Sequence, residues 1–198
     1  MKVLVACEFS GIVRDAFAAR GHDAWSCDLL PSERNGKHIH GDVLEHLDKG
    51  WELMIAHPPC TYLTNAGVRH LYSVPSRNGV ITKIHGEERF RLMRLACAFF
   101  LDLLRAPIHQ IAIENPTPHK YARELIGDYQ QAIQPWLFGV PETKRTCLWL
   151  RGLPPLMATM IETKRYPRVH MTPPSKTRWM ERSRTPQGVA DAMANQWG

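Results

Sequence analysis

The run WELMIAHPPC, residues 51–60, reads as an apolar strand that stops on two prolines and then presents a single thiol, Cys60. A second apolar run, QIAI at 110–113, leads straight into Glu114-Asn115-Pro116. Others end at Glu8-Phe9-Ser10-Gly11, at Asp28 and at Gly41-Asp42. Ligands of open α/β sheets bind at the carboxyl ends of the strands, so these groups are expected to meet on one edge. A thiol just beyond a strand is a candidate nucleophile. Glu114, at the mouth of the core, is expected to be partly desolvated. That would raise its pKa and suit a group that shares a proton with a heterocycle. Asp28 follows the second strand, where nucleoside-binding folds place a carboxylate for a pair of ribose hydroxyls. A solvated strand end explains Asp28 as well, and ordinary turns explain Gly11 and Asp42.

The other cysteines, Cys7, Cys27, Cys97 and Cys147, lie in strand-like or helical runs and read as buried hydrophobes. An odd, scattered set of five with no CxxC pair indicates neither a disulfide framework nor a zinc site. It fits a reducing cytoplasm. The N-terminal MKVLVACEF is too short and too soon interrupted by Glu8 for a signal peptide. No apolar run reaches the ~20 residues of a membrane span. The formal charge is +6, and segment 162–185 carries seven Lys/Arg against two Glu. Tyr166, His170 and Trp179 are interleaved there, as suits a phosphate backbone with stackable bases.

The elements that must position these residues alternate. Strands are expected at 2–7, 22–29, 39–40, 53–56, 110–113 and 147–150. Helices are expected at 12–20, 87–104, 119–125 and 187–196. This predicts an α/β fold with a mostly parallel sheet in one domain spanning 1–198. Two long irregular stretches remain, 69–86 and 161–184, and loops of that length are usually functional or mobile.

The order and spacing resemble the DNA cytosine-5 methyltransferases. WELMIAHPPC is similar to their catalytic motif and IENP to their Glu-Asn motif. CEFSGIVRDAF, SCDLLP and GDV resemble the three cofactor motifs. PETKRTCLWL resembles the later arginine motif, and RTPQGVADAMANQ the C-terminal motif that folds back on the cofactor site. The resemblance implies a Rossmann-like domain dependent on S-adenosyl-L-methionine. Cys60 would add to cytosine C6, and Glu114 would hydrogen-bond N3 and the exocyclic amine. Asn115 would brace the Cys60 loop, and Lys144 or Arg145 would contact the base O2 or a phosphate. Phe9 and Gly11 would flank the cofactor, Asp28 would take its ribose and Asp42 its adenine amine. Ser10, Leu29, Val43, Pro58, Gln187 and Val189 would complete that pocket. The target base of duplex DNA would be flipped out. Segment 61–86 would form a mobile lid whose loop 69–86 brings Arg69, Arg77 and Lys83 to the phosphates.

The sequence departs from that family in four places. Ile12, Val13 and Arg14 stand where more glycine is usual, so side chains there would narrow the cofactor pocket. His57 replaces a glycine before Pro58-Pro59. Glu142 to Thr146 map poorly on the arginine motif. Only 152–184, a minimal basic segment, stands where a target-recognition domain is expected. That predicts short or relaxed sequence specificity, or a protein partner that supplies recognition, in a bacterial or phage-infected cell. Two alternatives stay open. One is pyrimidine C5 modification of a nucleotide or RNA, or with another one-carbon donor. The other is a non-catalytic DNA-binding module whose cofactor pocket Val13 and Arg14 close.

Overall fold

The computed structural model describes residues 1–72 and 85–198. The chain alternates strand and helix: β1 (Lys2–Ala6), α1 (Ile12–Ala18), β2 (Asp23–Asp28), β3 (His38–His40), β4 (Leu53–Ala56), α2 (Gly86–Leu104), β5 (Gln110–Pro116), α3 (Lys120–Ile126), β6 (Gln131–Ile133), β7 (Thr146–Arg151), α4 (Arg168–Met171), α5 (Arg178–Ser183) and α6 (Gln187–Trp197). The seven strands form one sheet in the order β3-β2-β1-β4-β5-β7-β6. Strands β1 to β5 pair in parallel, and β7 enters antiparallel between β5 and β6.

Continuous apolar strands form here because both faces are covered. Val3 and Val5 of β1 turn to one side, against Val13 and Phe17 of α1 and Ala190 and Met193 of α6. Leu4 and Ala6 turn to the other, toward Met93, Cys97, Phe100 and Leu103 of α2 and Ala122 and Ile126 of α3. The α2 residues recur at helical spacing, so one stripe of an otherwise polar helix seals that face. The strand order reverses between β1 and β4, and the carboxyl ends of these neighbours flank the crevice where such sheets bind ligands.

Three features differ from the sequence expectation. Strand β5 does not stop at Ile113. It continues through Glu114, Asn115 and Pro116 because β7 pairs with it there, opposite Leu148, Cys147 and Thr146. Strand β6 is short and unpatterned, and it exists because β7 offers it an edge. The stretch expected to be irregular, 161–184, contains α4 and α5. No helix among the described residues is long and apolar enough to cross a membrane.

Candidate active site

Past Ala56 the chain is still held to the sheet by the His57 N–H, which donates to the Ala6 carbonyl at 2.9 Å. Pro58 and Pro59 then fix φ and remove two backbone donors. Cys60 opens a tight turn, its carbonyl accepting from the N–H groups of Leu63 (3.1 Å) and Thr64 (3.2 Å). Distant elements clamp this loop. The Asn115 amide donates to the Pro58 carbonyl at 2.8 Å. The Arg89 guanidinium of α2 donates to the Thr61 carbonyl, and His119 Nε2 to the Tyr62 carbonyl, each at 3.0 Å. His119 Nδ1 accepts from the Ala122 N–H at 3.1 Å, so this buried ring is a neutral tautomer, and burial lowers its pKa. Residues 61–72 of the expected lid are therefore anchored at their start. Arg69 lies in a 3-10 turn over Asn65–Leu71, while Arg77 and Lys83 lie outside the described residues.

Cys60 opens onto a cleft of about 140 Å³. The strand ends contribute Phe9, Ser10, His57, Pro58 and Glu114, the β6–β7 connection contributes Lys144, and residues 182–185 close the far side. Glu114 is buried, and His57 Nδ1 donates to its Oε2 at 2.7 Å. Burial by itself would raise the Glu114 pKa, as expected from the sequence. The structure reverses that expectation. The His57 hydrogen bond, the Lys144 ammonium and a hydrogen bond from Thr146 outweigh desolvation and hold the carboxyl down at about 2. The Cys60 thiol is pushed up, first by desolvation and then by the Glu114 charge, while Lys144 and Arg182 pull it back. Cys60 is exposed as a residue and lines the cleft, while protein crowds its thiol on the inner side.

A second cleft, of about 310 Å³, adjoins the first and shares Cys7 and Pro59 with it. Cys27, Asp28, Leu29, Gly41, Asp42, Val43 and Phe99 line the rest. Burial raises the Asp28 pKa, and the Leu30 N–H it accepts (2.9 Å) offsets part of that rise. Asp42 accepts from the Leu44 N–H at 3.0 Å, capping a 3-10 turn over Val43–His46 with one oxygen. At the junction, Cys7 has φ 57°, the one positive φ among the described non-glycine residues. A left-handed conformation of this kind costs about 1–3 kcal/mol and collects at functional sites. Two carboxylates beside an apolar wall suit an adenosine, so the donor set fits the nucleoside half of S-adenosylmethionine.

Other candidate residues lie elsewhere. Gly11 (φ 72°) lines neither cleft, and a Cβ there would meet the Arg14 guanidinium at 2.5 Å. Arg14 is buried away from both clefts, donating to Ser26, Ser32 and the carbonyls of Arg34 and Asn35. Val13 is packed in the core. Neither closes the second cleft. Arg145 turns to the Tyr129 hydroxyl (3.1 Å), which leaves Lys144 as the cation of that pair at the cleft. Val189 is core, and Gln187 donates to Asp191 on its own helix, so neither reaches the two clefts.

Several site residues were given no individual role by the sequence. Glu8, buried beyond β1, accepts from the N–H groups of Val13 (2.7 Å) and Arg14 (3.2 Å) and from the Ser10 hydroxyl. It caps α1 with its own carboxylate. Arg182 and Arg184 belong to the basic segment, yet both reach the cleft. Arg184 forms a two-pronged pair with Glu33 (2.6 and 2.9 Å), Lys144 Nζ donates to its carbonyl, and Trp179 packs its ring against Phe9. The interleaved charges and aromatics were the available signal, but they do not say that the segment folds back over the strand ends.

No family model matches the chain, and no curated protein does. Among solved structures, one similar chain is described as a candidate DNA modification methyltransferase encoded within an E. coli prophage. It shares 16% identity and a TM-score of 0.45, over 81% of this chain. This chain spans 51%, about half, of that structure.

Proposed function

We propose that this protein is a DNA cytosine-5 methyltransferase. The observation that carries the reading is the convergence of Cys60, Glu114 and Lys144 on one cleft, joined to a second cleft that holds Asp28 and Asp42. Cytosine C5 is a poor nucleophile, and thiolate addition at C6 makes it enamine-like. Cys60 is the nucleophile, held in aim by the diproline and by Asn115. The ionised Glu114 accepts from the exocyclic amine of the base and lies beside N3, and Lys144, on the same cleft, favours the thiolate. S-adenosylmethionine, with its nucleoside on Asp28, Asp42 and Val43, supplies the electrophilic methyl group when bound. The exposed Lys164, Arg165, Arg168 and Lys176 engage the DNA phosphates. So short a segment contributes little base reading, which leaves recognition short or dependent on a protein partner.

A second reading keeps the thiol addition but changes the one-carbon donor. Glu8 favours it, because its carboxylate already takes the N–H groups at the start of α1 that an anionic tail would seek.

The test is direct. Incubate the protein with methyl-labelled S-adenosylmethionine and unmodified duplex DNA, digest to nucleosides, and look for labelled 5-methylcytosine by mass. Its appearance is the expected result. Its absence, with donor binding also absent by calorimetry, moves the weight to another donor. Absence with donor binding present overturns cytosine-5 transfer.

A further inference from the structure

We propose that His57 positions Glu114 and stores the proton that N3 of the flipped base takes up when Cys60 adds to C6; this rests on the base-addition reading above.

His57 is the first residue beyond β4, its backbone is pinned to Ala6, and its ring lines the Cys60 cleft. Its Nδ1 lies 2.7 Å from Glu114 Oε2, with both side chains 10% exposed. A carboxylate only accepts, so Nδ1 carries the hydrogen. The other ring nitrogen, Nε2, is buried with no hydrogen-bond partner among the described residues. Stranding a buried polar atom costs about 1–3 kcal/mol. An asparagine could brace the carboxylate without an imidazole's second nitrogen. What imidazole adds is a second nitrogen, so that one ring can carry a proton toward the carboxylate and also release it.

The surrounding groups leave that role to His57. Lys144, from the β6–β7 connection, and Arg182, from α5, line the same cleft as cationic side chains. Glu8, beyond β1, is engaged with the start of α1. Burial pushes the Cys7 and Cys60 thiols up, away from neutrality. Glu114 is held as the carboxylate, so by itself it has no proton to give.

Before addition the Cys60 thiol releases its proton to solvent, and the thiolate pair then forms the S–C6 bond. The C5=C6 pair moves to C4–C5, and the C4=N3 pair comes to rest on N3. Glu114 first takes the Nδ1 proton of the imidazolium and then gives it to N3. His57 is left neutral, Glu114 remains a carboxylate, and the base is held as the protonated adduct. Elimination of Cys60 returns the proton along the same path.

Addition can be read without any methyl donor. The adduct carries an enamine-like C5, whose hydrogen then exchanges with solvent. Exchange at cytosine C5 in duplex DNA is followed by mass in deuterated buffer from pH 5 to 9, for the full chain, for His57→Asn and for His57→Gln. Both amides keep a donor toward Glu114 but cannot titrate, and thermal melting identifies which of them is folded. The expected result is a pH-dependent rate limb within that range in the parent chain. That limb is lost in the folded variants, whose exchange is about 10²-fold slower. Parent-like rates and pH profile in the variants overturn the proton store while sparing the base-addition reading. So does a uniform slowing that keeps the limb, which would mark a structural role. No exchange by the parent chain overturns the base-addition reading and the proton store with it.

Discussion

Asn115 on β5 donates its side-chain amide to the backbone carbonyl of Pro58, 57 positions earlier in the chain, at 2.8 Å. The bond spans two neighbouring strands and sets where Cys60 stands relative to Glu114. The residue beside the proposed base-binding carboxylate thus holds the loop that carries the proposed nucleophile. Asn115→Leu should leave the Pro58 carbonyl unpaired and cost about 1–3 kcal/mol in chemical denaturation. Transfer should fall on the order of 10²-fold, since a displacement of about 1 Å at the reacting atoms has that effect. DNA affinity should be unchanged.

Cys60→Ser should remove transfer below detection in the labelled-methyl assay. DNA affinity by fluorescence anisotropy should stay within about twofold, because the thiol is a small part of the surface that meets DNA. Full activity in this variant would end the covalent mechanism.

Glu114 predicts a pH dependence of stability. Its folded pKa, about 2, lies below the 4.5 of a free glutamate. The unfolded chain therefore binds this proton more readily. The stabilisation is fully present above pH 4.5 and is lost as pH falls toward about 2. Denaturation midpoints measured down this window should fall more steeply for the parent chain than for Glu114→Gln. Parallel curves would show that the carboxylate is not held ionised.

Asp28→Ala should weaken binding of S-adenosylmethionine by about 1.5–3 kcal/mol in calorimetry, the range for a hydrogen bond to a charged group. DNA binding should be unaffected, since Asp28 lines the second cleft.

Replacing Lys164, Arg165, Arg168 and Lys176 with alanine should weaken DNA binding and flatten its salt dependence. The slope of log K against log salt should fall by about 0.9 for each phosphate that is no longer neutralised. Arg184 should behave differently, because it is paired with Glu33 and faces the cleft, so its removal should act on transfer as well.

Much of the frame follows from local pattern. Runs such as KVLVA and LMIA are apolar at nearly every position, which suits strands covered on both faces. The Met93, Cys97, Phe100 spacing dictates a helix against one of those faces. An alternation of such runs leaves few arrangements other than a mostly parallel sheet. Parallel strands with right-handed crossovers then bring residues 8–11, 28, 42, 57–60 and 114–115 to one edge.

Local pattern could not reach what long-range pairing decides. Strand β6 has three residues and no alternation of its own, and β5 is extended past Ile113 by its partner β7. The choice between Lys144 and Arg145 depends on which way each side chain leaves a connection whose course β6 and β7 set. The fold-back of 182–185 over the cleft depends on Glu33 and Phe9, far away in sequence.

By itself, the sequence determined the class of sheet, the strand ends and the types of group they carry, because hydrophobic periodicity and turn residues act over a few positions. Only the tertiary structure decided the state of Glu114. Burial raises a carboxylate's pKa, and an adjacent imidazole and ammonium lower it. Their balance depends on His57 and Lys144 standing close to one pair of carboxylate oxygens, a proximity that no sequence spacing encodes.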